Sequence, residues 1–191
     1  MLEQNFQAWS KIITGKLGLE VIGIDGKSLN GSYDRENSLK SLVMVSAWSS
    51  SHKLVLGQVA VEQKSNEITA IPVLLEQLDA KGAIVTIDAM GTQTAIARQI
   101  NSAGADYILT HSIRSHWGVE NQLHWCLDVI FAEDDSRIGS GHAPQNMTIL
   151  KRLALNLLRQ DNSKGSLKMK RYQAGLNNNF LFQILSNSGI F

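Results

Sequence analysis

The sequence predicts an α/β fold in which helices flank a mixed β-sheet. Apolar and β-branched residues are concentrated at 19–25, 41–48 and 53–62, and the short turn regions favour an antiparallel meander. Further along the chain, a helical pattern separates a strand at 83–88 from a strand at 105–110. Strand, helix and strand at this spacing indicate a parallel crossover. The predicted sheet therefore has three antiparallel strands followed by two parallel ones.

Helices are predicted where apolar residues recur at intervals of three and four. Pro72 is placed in the first turn of a helix at 69–78, because proline is tolerated there and disrupts a helix interior. The stretch from Ile113 to Arg137 starts as a helix and continues into a polar loop at 132–143. Further helices are predicted at 92–102, 144–159 and 180–187.

This pattern divides the chain into a lead-in at 1–18, one domain at 19–160 and a basic helical tail at 161–191. A chain of 191 residues with 43% hydrophobic residues can bury the core of such a domain. The single cysteine, Cys126, excludes a disulfide framework. No apolar run approaches the roughly 20 residues that span a bilayer. These features predict a soluble cytoplasmic protein without a membrane partner.

The net charge of +1 hides an uneven distribution. Between Lys151 and Arg171 there are seven Lys or Arg and one Asp, whereas Glu120 to Asp135 holds five acids and no Lys or Arg. An acidic focus beside a basic segment is typical of cation binding next to a polyanion. A solvated helix face is the alternative explanation of the basic segment.

Glu120 stands on an otherwise apolar stripe of its predicted helix. A carboxylate buried on such a stripe must be protonated, paired or bound to a cation, because burying an isolated charge is very unfavourable. We therefore predict that Glu120 has a partner. The other members of the stripe are Ile113, Trp117, Leu123, Leu127 and Ile130, with Phe131 beside it.

Two more acids follow short β-branched runs. Asp25 ends the run VIGID and is followed by Gly26, and Asp88 ends AIVTID. Carboxylates at the ends of neighbouring strands can converge with a Glu from a helix on one or two hard divalent cations. The sequence thus predicts a metal site of Asp25, Asp88 and Glu120.

Each acid also has a purely structural explanation. Asp25 before glycine can start a turn, Asp88 can cap the next helix, and Glu120 can pair with Arg114 or His116. A zinc site formed by the histidines and cysteine of the 111–126 stretch is not favoured, because their spacing matches no zinc-finger pattern.

Several long blocks resemble the ISAs1-type transposases, also called H-repeat-associated proteins. These blocks are GIDGKSLNGSYDRE, VSAWSS, VLGQVAVEQKSNEITAIP, TIDAMGTQTAIARQI, AGADYILT and IRSHWGVENQLHWCLDVIFAEDDSRI. The resemblance implies a ribonuclease-H-like fold and identifies Asp25, Asp88 and Glu120 with the family's acidic triad. It also implies DNA cleavage and strand transfer at insertion-sequence ends of bacterial mobile DNA, with two Mg²⁺ or Mn²⁺ ions when DNA is bound.

The chain departs from the family pattern in three places. An N-terminal region is reduced to a short lead-in, and a long insertion is absent after the fifth strand, so we predict an internal deletion near Thr110 and His111. The Tyr, Arg, Glu, Lys signature of a broader transposase group is not met, since Ile113, His116 and Leu127 occupy the relevant spacings. These departures leave two alternatives open, a non-catalytic remnant that binds DNA or is inert, and a different ribonuclease-H-like metal nuclease.

Basic residues near the acids are the candidate contacts to DNA phosphates, which position a protein without reading sequence. The expected partners are insertion-sequence ends and target DNA. A homo-oligomer or a mixed assembly with a full-length transposase is also predicted. The candidate contacts are Lys27, Arg114, His116, Arg137, Lys151 and Arg152.

Overall fold

A computed structural model describes residues 2–14, 20–32, 41–61, 65–88, 93–107 and 118–187 of the chain. Its strands are β1 (Val21–Leu29), β2 (Leu42–Ser49), β3 (Leu54–Ala60), β4 (Ile84–Ile87) and β5 (Asp106–Tyr107). Its α-helices are α1 (Leu2–Thr14), α2 (Glu67–Gln77), α3 (Thr94–Ser102), α4 (Trp125–Val129), α5 (Ala143–Gln160), α6 (Leu167–Leu176) and α7 (Asn178–Asn187). A 3₁₀ turn occupies Asn30–Ser32, and a π-helical segment, Val119–His124, leads directly into α4.

The five strands form one sheet in the order β3-β2-β1-β4-β5. β1 pairs antiparallel with β2, and β2 pairs antiparallel with β3. On its other edge, β1 pairs parallel with β4, which pairs parallel with β5. The predicted fold class, three antiparallel strands and two parallel ones flanked by helices, is confirmed.

β1 runs four residues past the point predicted for its end. Gly26 was expected to stop the strand after Asp25, but it pairs with Val45, and the antiparallel ladder continues to Leu29 opposite Leu42. The prediction was wrong because β2 supplies a partner for this whole stretch. Asp25 is therefore an internal residue of β1.

Pro72 lies inside α2 and not in its first turn, because the helix begins at Glu67. A proline here leaves one helical carbonyl without its usual N–H partner. Burial of the helix against the sheet offsets this cost, since Ala70, Ile71, Leu74 and Leu75 are almost fully buried.

Two hydrophobic cores lie against the sheet. The first contains Ile24 and Ile87 with the buried faces of α2 and α3. The second contains Trp48 with residues of α1, the π-helical segment and α4, α5 and α7. Among these, Phe6 of α1 and Phe180 of α7 are nearly fully buried, so the predicted lead-in and tail pack into the same core as the central domain. No helix within the described ranges is long and apolar enough to span a membrane.

Candidate acidic site beside β1

Asp25 occupies the position where β1 loses one of its two neighbours. The parallel pairing of β1 with β4 ends at Ile24 opposite Ile87, and both isoleucines belong to the first core. Because side chains alternate along a strand, the Asp25 side chain lies on the other face, toward the second core. Asp88 directly follows the last residue of β4. The sheet register thus brings these two predicted acids to one place.

Each carboxyl oxygen of Asp25 has a contact with a neighbouring group. The backbone N–H of Gly26 donates to its Oδ1 at 2.9 Å, and Nδ1 of His124 lies 3.5 Å from its Oδ2. Only 16% of the Asp25 side chain is exposed. These contacts fix the orientation of the carboxyl group beside the π-helical segment.

The pKa of Asp25 is raised from 3.8 to about 7, mainly by burial. The charges of Asp88, Glu67 and Glu120 contribute to this rise, whereas the hydrogen bond from Gly26 opposes it. An electrostatic effect on one group from three others means that the predicted triad shares one local environment. Glu67, which was not predicted, belongs to it as well.

Glu120 is exposed, and the prediction that it is buried on an apolar stripe was wrong. It lies in the π-helical segment, where a turn contains more residues than an α-helical turn. Counting back from Leu123 in steps of 3.6 residues therefore misplaces Glu120, and Val119 takes the buried position. An exposed carboxylate needs no buried partner. The predicted stripe members Ile113 and Trp117 lie outside the described residues.

Arg159 of α5 anchors the π-helical segment. Its guanidinium donates to the carbonyl of Gln122 inside that segment and, at 2.6 Å, to the carbonyl of Lys53. It also lies 4.5 Å from the ring centroid of Trp48. A side chain that bonds into the helical ladder is one of the recognised causes of such local irregularity.

The donor set at this site fits a hard divalent cation, because it consists of carboxylate oxygens. The pKa of Asp25 is raised mainly by burial and then by the charges of Asp88, Glu67 and Glu120, and a bound cation would counter both effects. Within the described ranges, no three His, Cys, Asp or Glu side chains converge closely enough to hold an ion together. The charges of the other carboxylates therefore act on Asp25, but the carboxylate side chains do not converge on one point.

Two of the predicted DNA contacts have side chains that form ion pairs within the protein. The Lys27 side chain is 9% exposed, and its Nζ lies 2.7 Å from Asp128 and 3.4 Å from Asp134. Arg152 is fully buried, with its Nη1 3.1 Å from Glu133. Neither cation is presented to a polyanion.

The other predicted DNA contacts differ in their situation. Arg137 is exposed, and Lys151 is partly buried, with a pKa lowered mainly by burial. Arg114 and His116 lie outside the described residues. Arg137 is thus the predicted phosphate contact that the structure leaves most accessible among those it describes.

His124 and Glu67 are the residues that sequence reasoning missed. His124 stands four residues after Glu120, a spacing that places both on one helical face, but it was considered only as a zinc ligand. Glu67 lies at the first position of α2 and carried no signal in the sequence beyond its place before a helical pattern.

Comparison with known proteins gives one family model and several relatives. The model described as "Transposase DDE domain" matches residues 16–113. "H repeat-associated putative transposase YhhI" of Escherichia coli (strain K12) is 29% identical, with 90% of this chain and 72% of the relative covered. "Putative transposase YncI" of Escherichia coli O157:H7 is 30% identical over 88% of this chain and 69% of the relative. A second YncI, from strain K12, is 52% identical over 59% of this chain and 43% of its own length.

The alignment with YhhI extends over 274 residues, whereas the chain has 191. YhhI therefore contains residues inside the matched region that have no counterpart here. This agrees with the predicted internal deletion, whose expected place near Thr110 and His111 lies outside the described residues.

Proposed function

The chain belongs to the DDE transposases, and on that premise we propose that it cleaves DNA at insertion-sequence ends and joins the freed 3′ ends to target DNA. Asp25, Asp88 and Glu120 would provide the carboxylates of its metal site. The observation that carries this proposal is the raised pKa of Asp25, caused by burial and by the neighbouring charges of Asp88 and Glu120. Carboxyl groups with strongly shifted pKa values occur at functional sites more often than elsewhere in proteins.

In this proposal Asp25 would be the central ligand, with Asp88 and Glu120 as the other two. A Mg²⁺ or Mn²⁺ ion held by these carboxylates would supply Lewis-acid chemistry for phosphodiester hydrolysis and transfer. The all-oxygen donor set favours these ions over zinc. With DNA bound, two ions are expected.

The surrounding residues hold the carboxylates in position. His124 and the Gly26 N–H keep the Asp25 carboxyl oriented by contacting different oxygens. Lys27 links β1 to α4 through its ion pair with Asp128. This ion pair fixes α4, and with it the π-helical segment that carries Glu120, against the strand that carries Asp25.

A second candidate is a remnant that binds DNA without cutting it, or that lowers the activity of a full-length relative by mixed assembly. It is favoured by the residues of YhhI that have no counterpart in this chain, and by the internal ion pairs of Lys27 and Arg152, two of the predicted DNA contacts. The first candidate function would involve a homo-oligomer of this chain, and the second a mixed oligomer with the full-length relative.

The test is a nicking assay with DNA that carries the terminal repeats flanking this chain's gene. We expect cutting with Mg²⁺ or Mn²⁺, none with a chelator, and loss of cutting in Asp25→Asn, Asp88→Asn and Glu120→Gln. Glu76→Gln, an exposed charge change elsewhere on α2, is the matched control. DNA binding without metal-dependent cutting would support the remnant. Cutting of the RNA strand of a hybrid, with transposon ends left intact, would instead indicate a different metal nuclease.

A further inference from the structure

A basic cavity of about 350 Å³ lies where the π-helical segment meets the turn between β2 and β3 and the start of α6. Four of the side chains that line it are basic, namely His52, Lys53, Arg159 and Lys170, and none of its described lining residues is an acid. A volume of this size is within the range of ligand-binding pockets. Clefts lined by charge of one sign concentrate ligands of the opposite sign.

Two of these cations are already neutralised by the fold. His52 and Lys170 lie 3.2 and 3.0 Å from carboxylates that are nearly fully buried. Arg159 and Lys53 form no ion pair with a carboxylate of the described residues. The basic cavity therefore has two cations whose charge has no counter-ion in the part of the chain that the structure describes.

Arg159 is a partly buried cation that is held by neutral groups. Its guanidinium donates to the backbone carbonyls of Lys53 and Gln122 and lies 3.6 Å from Sγ of Cys126. Burial lowers the pKa of Arg159, and the contact with Cys126 opposes this effect. A guanidinium has five N–H groups, so two remain for a ligand after these three contacts. Phosphate oxygens suit them, because guanidinium and phosphate form strong charge-assisted hydrogen bonds.

Lys53 has an unusual backbone conformation. Its φ angle is +55°, in the left-handed region that residues with a side chain rarely adopt, Asn and Asp being the main exceptions. The Lys53 side chain is exposed, so burial in a core does not offset this cost. Backbone outliers of this kind concentrate at ligand-binding sites. The conformation of Lys53 is thus a second observation, independent of the charges, that points to a ligand here.

The basic cavity and Asp25 lie on the same face of the sheet. Asp25 pairs with Ser46 of β2, and Trp48, two residues further along β2, has the Arg159 guanidinium over its ring. Residues two apart on a strand share a face. The β2–β3 turn follows Ser49, three residues after Ser46, which is about 10 Å along the strand. One DNA strand has a phosphate about every 3.4 Å of helix axis, so this distance corresponds to roughly three nucleotides.

We propose that the basic cavity binds a backbone phosphate of the DNA substrate, with Lys53 and Arg159 as its cationic ligands, roughly three nucleotides from the phosphate at the acidic site. This inference rests on the proposed function and adds to it a substrate contact outside the predicted set of basic residues. A free phosphate has the same chemistry, and the experiment separates it from DNA.

Lys53→Asn removes the charge and suits the backbone, since asparagine tolerates a positive φ. We expect this variant to unfold at the same temperature as the unmodified chain or at a higher one. Its affinity for a labelled DNA duplex with the terminal repeats, measured in a chelator, should nevertheless fall about 10-fold. The slope of log affinity against log salt should decrease by about 1. Lys53→Arg should restore both quantities. Lys81→Asn, which removes the charge of an exposed lysine in the turn before β4, is the matched control and should bind like the unmodified chain.

Neutral methylphosphonates at single positions of the DNA backbone test which phosphate the cavity binds. For the unmodified chain, a methylphosphonate roughly three nucleotides from the cleaved bond should weaken binding. The same DNA should be bound by Lys53→Asn no more weakly than unmodified DNA is. Such non-additivity indicates that the two changes act on one interaction.

Several results would overturn this proposal. Equal losses of affinity in Lys53→Asn and Lys81→Asn, or additive effects at every methylphosphonate position, would mean that Lys53 acts only through the overall charge of the protein. Binding of inorganic phosphate that Lys53→Asn abolishes, with DNA affinity unchanged, would assign the cavity to a free phosphate. Because DNA binding is measured without metal, these results leave the metal chemistry of the proposed function to the nicking assay. An unmodified chain without any affinity for DNA would refute both.

Discussion

Replacing Asp25 with Asn should stabilise the metal-free protein at pH 8. In the folded chain the Asp25 pKa is raised from 3.8 to about 7, first by burial and then by the charges of Asp88, Glu67 and Glu120. The folded state thus binds a proton more tightly than the unfolded state does. Stability falls as the pH rises from about 4 to about 7, and it changes little above that. Asn has nearly the same shape and cannot ionise.

The size of the effect follows from the two pKa values. A tenfold change in proton affinity corresponds to about 1.4 kcal/mol, so a pKa raised from 3.8 to about 7 lowers stability by up to about 4 kcal/mol at pH 8. At pH 5 the folded-state carboxyl is still protonated, and the loss is roughly 2 kcal/mol. The advantage of Asp25→Asn should therefore grow by about 2 to 3 kcal/mol between these pH values.

Urea unfolding in the presence of a chelator, at pH 5 and pH 8, measures this difference. The comparison between the two proteins cancels the titration of groups that they share, including Glu67. Added Mn²⁺ should stabilise the unmodified chain at pH 8 and leave Asp25→Asn nearly unchanged, because a ligand stabilises the state that binds it. Equal stability of the two proteins at pH 8, or a loss in Asp25→Asn, would refute the claim that Asp25 is a destabilised carboxylate.

Three further predictions concern residues of α5 and the loop before it. Arg152→Met should cost about 3 to 5 kcal/mol in urea unfolding, because it leaves Glu133 buried without its partner, and Arg152→Met with Glu133→Leu should recover much of the loss. Asn156→Ala should cost about 1 to 3 kcal/mol, since the Asn156 amide makes two 2.9 Å hydrogen bonds to the backbone of one β3 residue. The exposed Asn146 on the same helix gives the control, and an equal effect of Asn146→Ala would contradict this assignment. Arg137→Ala should lower the slope of log DNA affinity against log salt by about 1, and an unchanged slope would remove Arg137 from the interface.

The sheet was predictable because its strands differ in sequence from their surroundings. The parallel and antiparallel halves could be recognised from the connections alone. Asp25 and Asp88 were predicted to converge because each ends a short β-branched run, and the structure adds that β1 and β4 are parallel neighbours. The end of β1 was missed because a glycine inside a paired strand looks the same in sequence as a glycine that stops one. Whether Gly26 pairs depends on β2, which begins 16 residues later at Leu42.

Glu120 illustrates a different limit of prediction from sequence. Its predicted burial came from extrapolating a 3.6-residue period through a segment that is π-helical. Arg159 donates to the Gln122 carbonyl of that segment from a helix well separated in sequence, and a contact of this kind can distort a helix. Local periodicity contains no information about such a contact. The prediction that Glu120 belongs with Asp25 also rested on a family resemblance, and the charge of Glu120 does act on Asp25.

Basic residues were the least predictable feature, because counting charges does not show which of them the fold uses internally. Within the predicted basic segment, Arg152 is buried against Glu133, Lys170 lies 3.0 Å from Asp161, and Arg159 stacks on Trp48. Each of these cations is engaged within the fold. The positive surface left for DNA is therefore smaller than the sequence suggests.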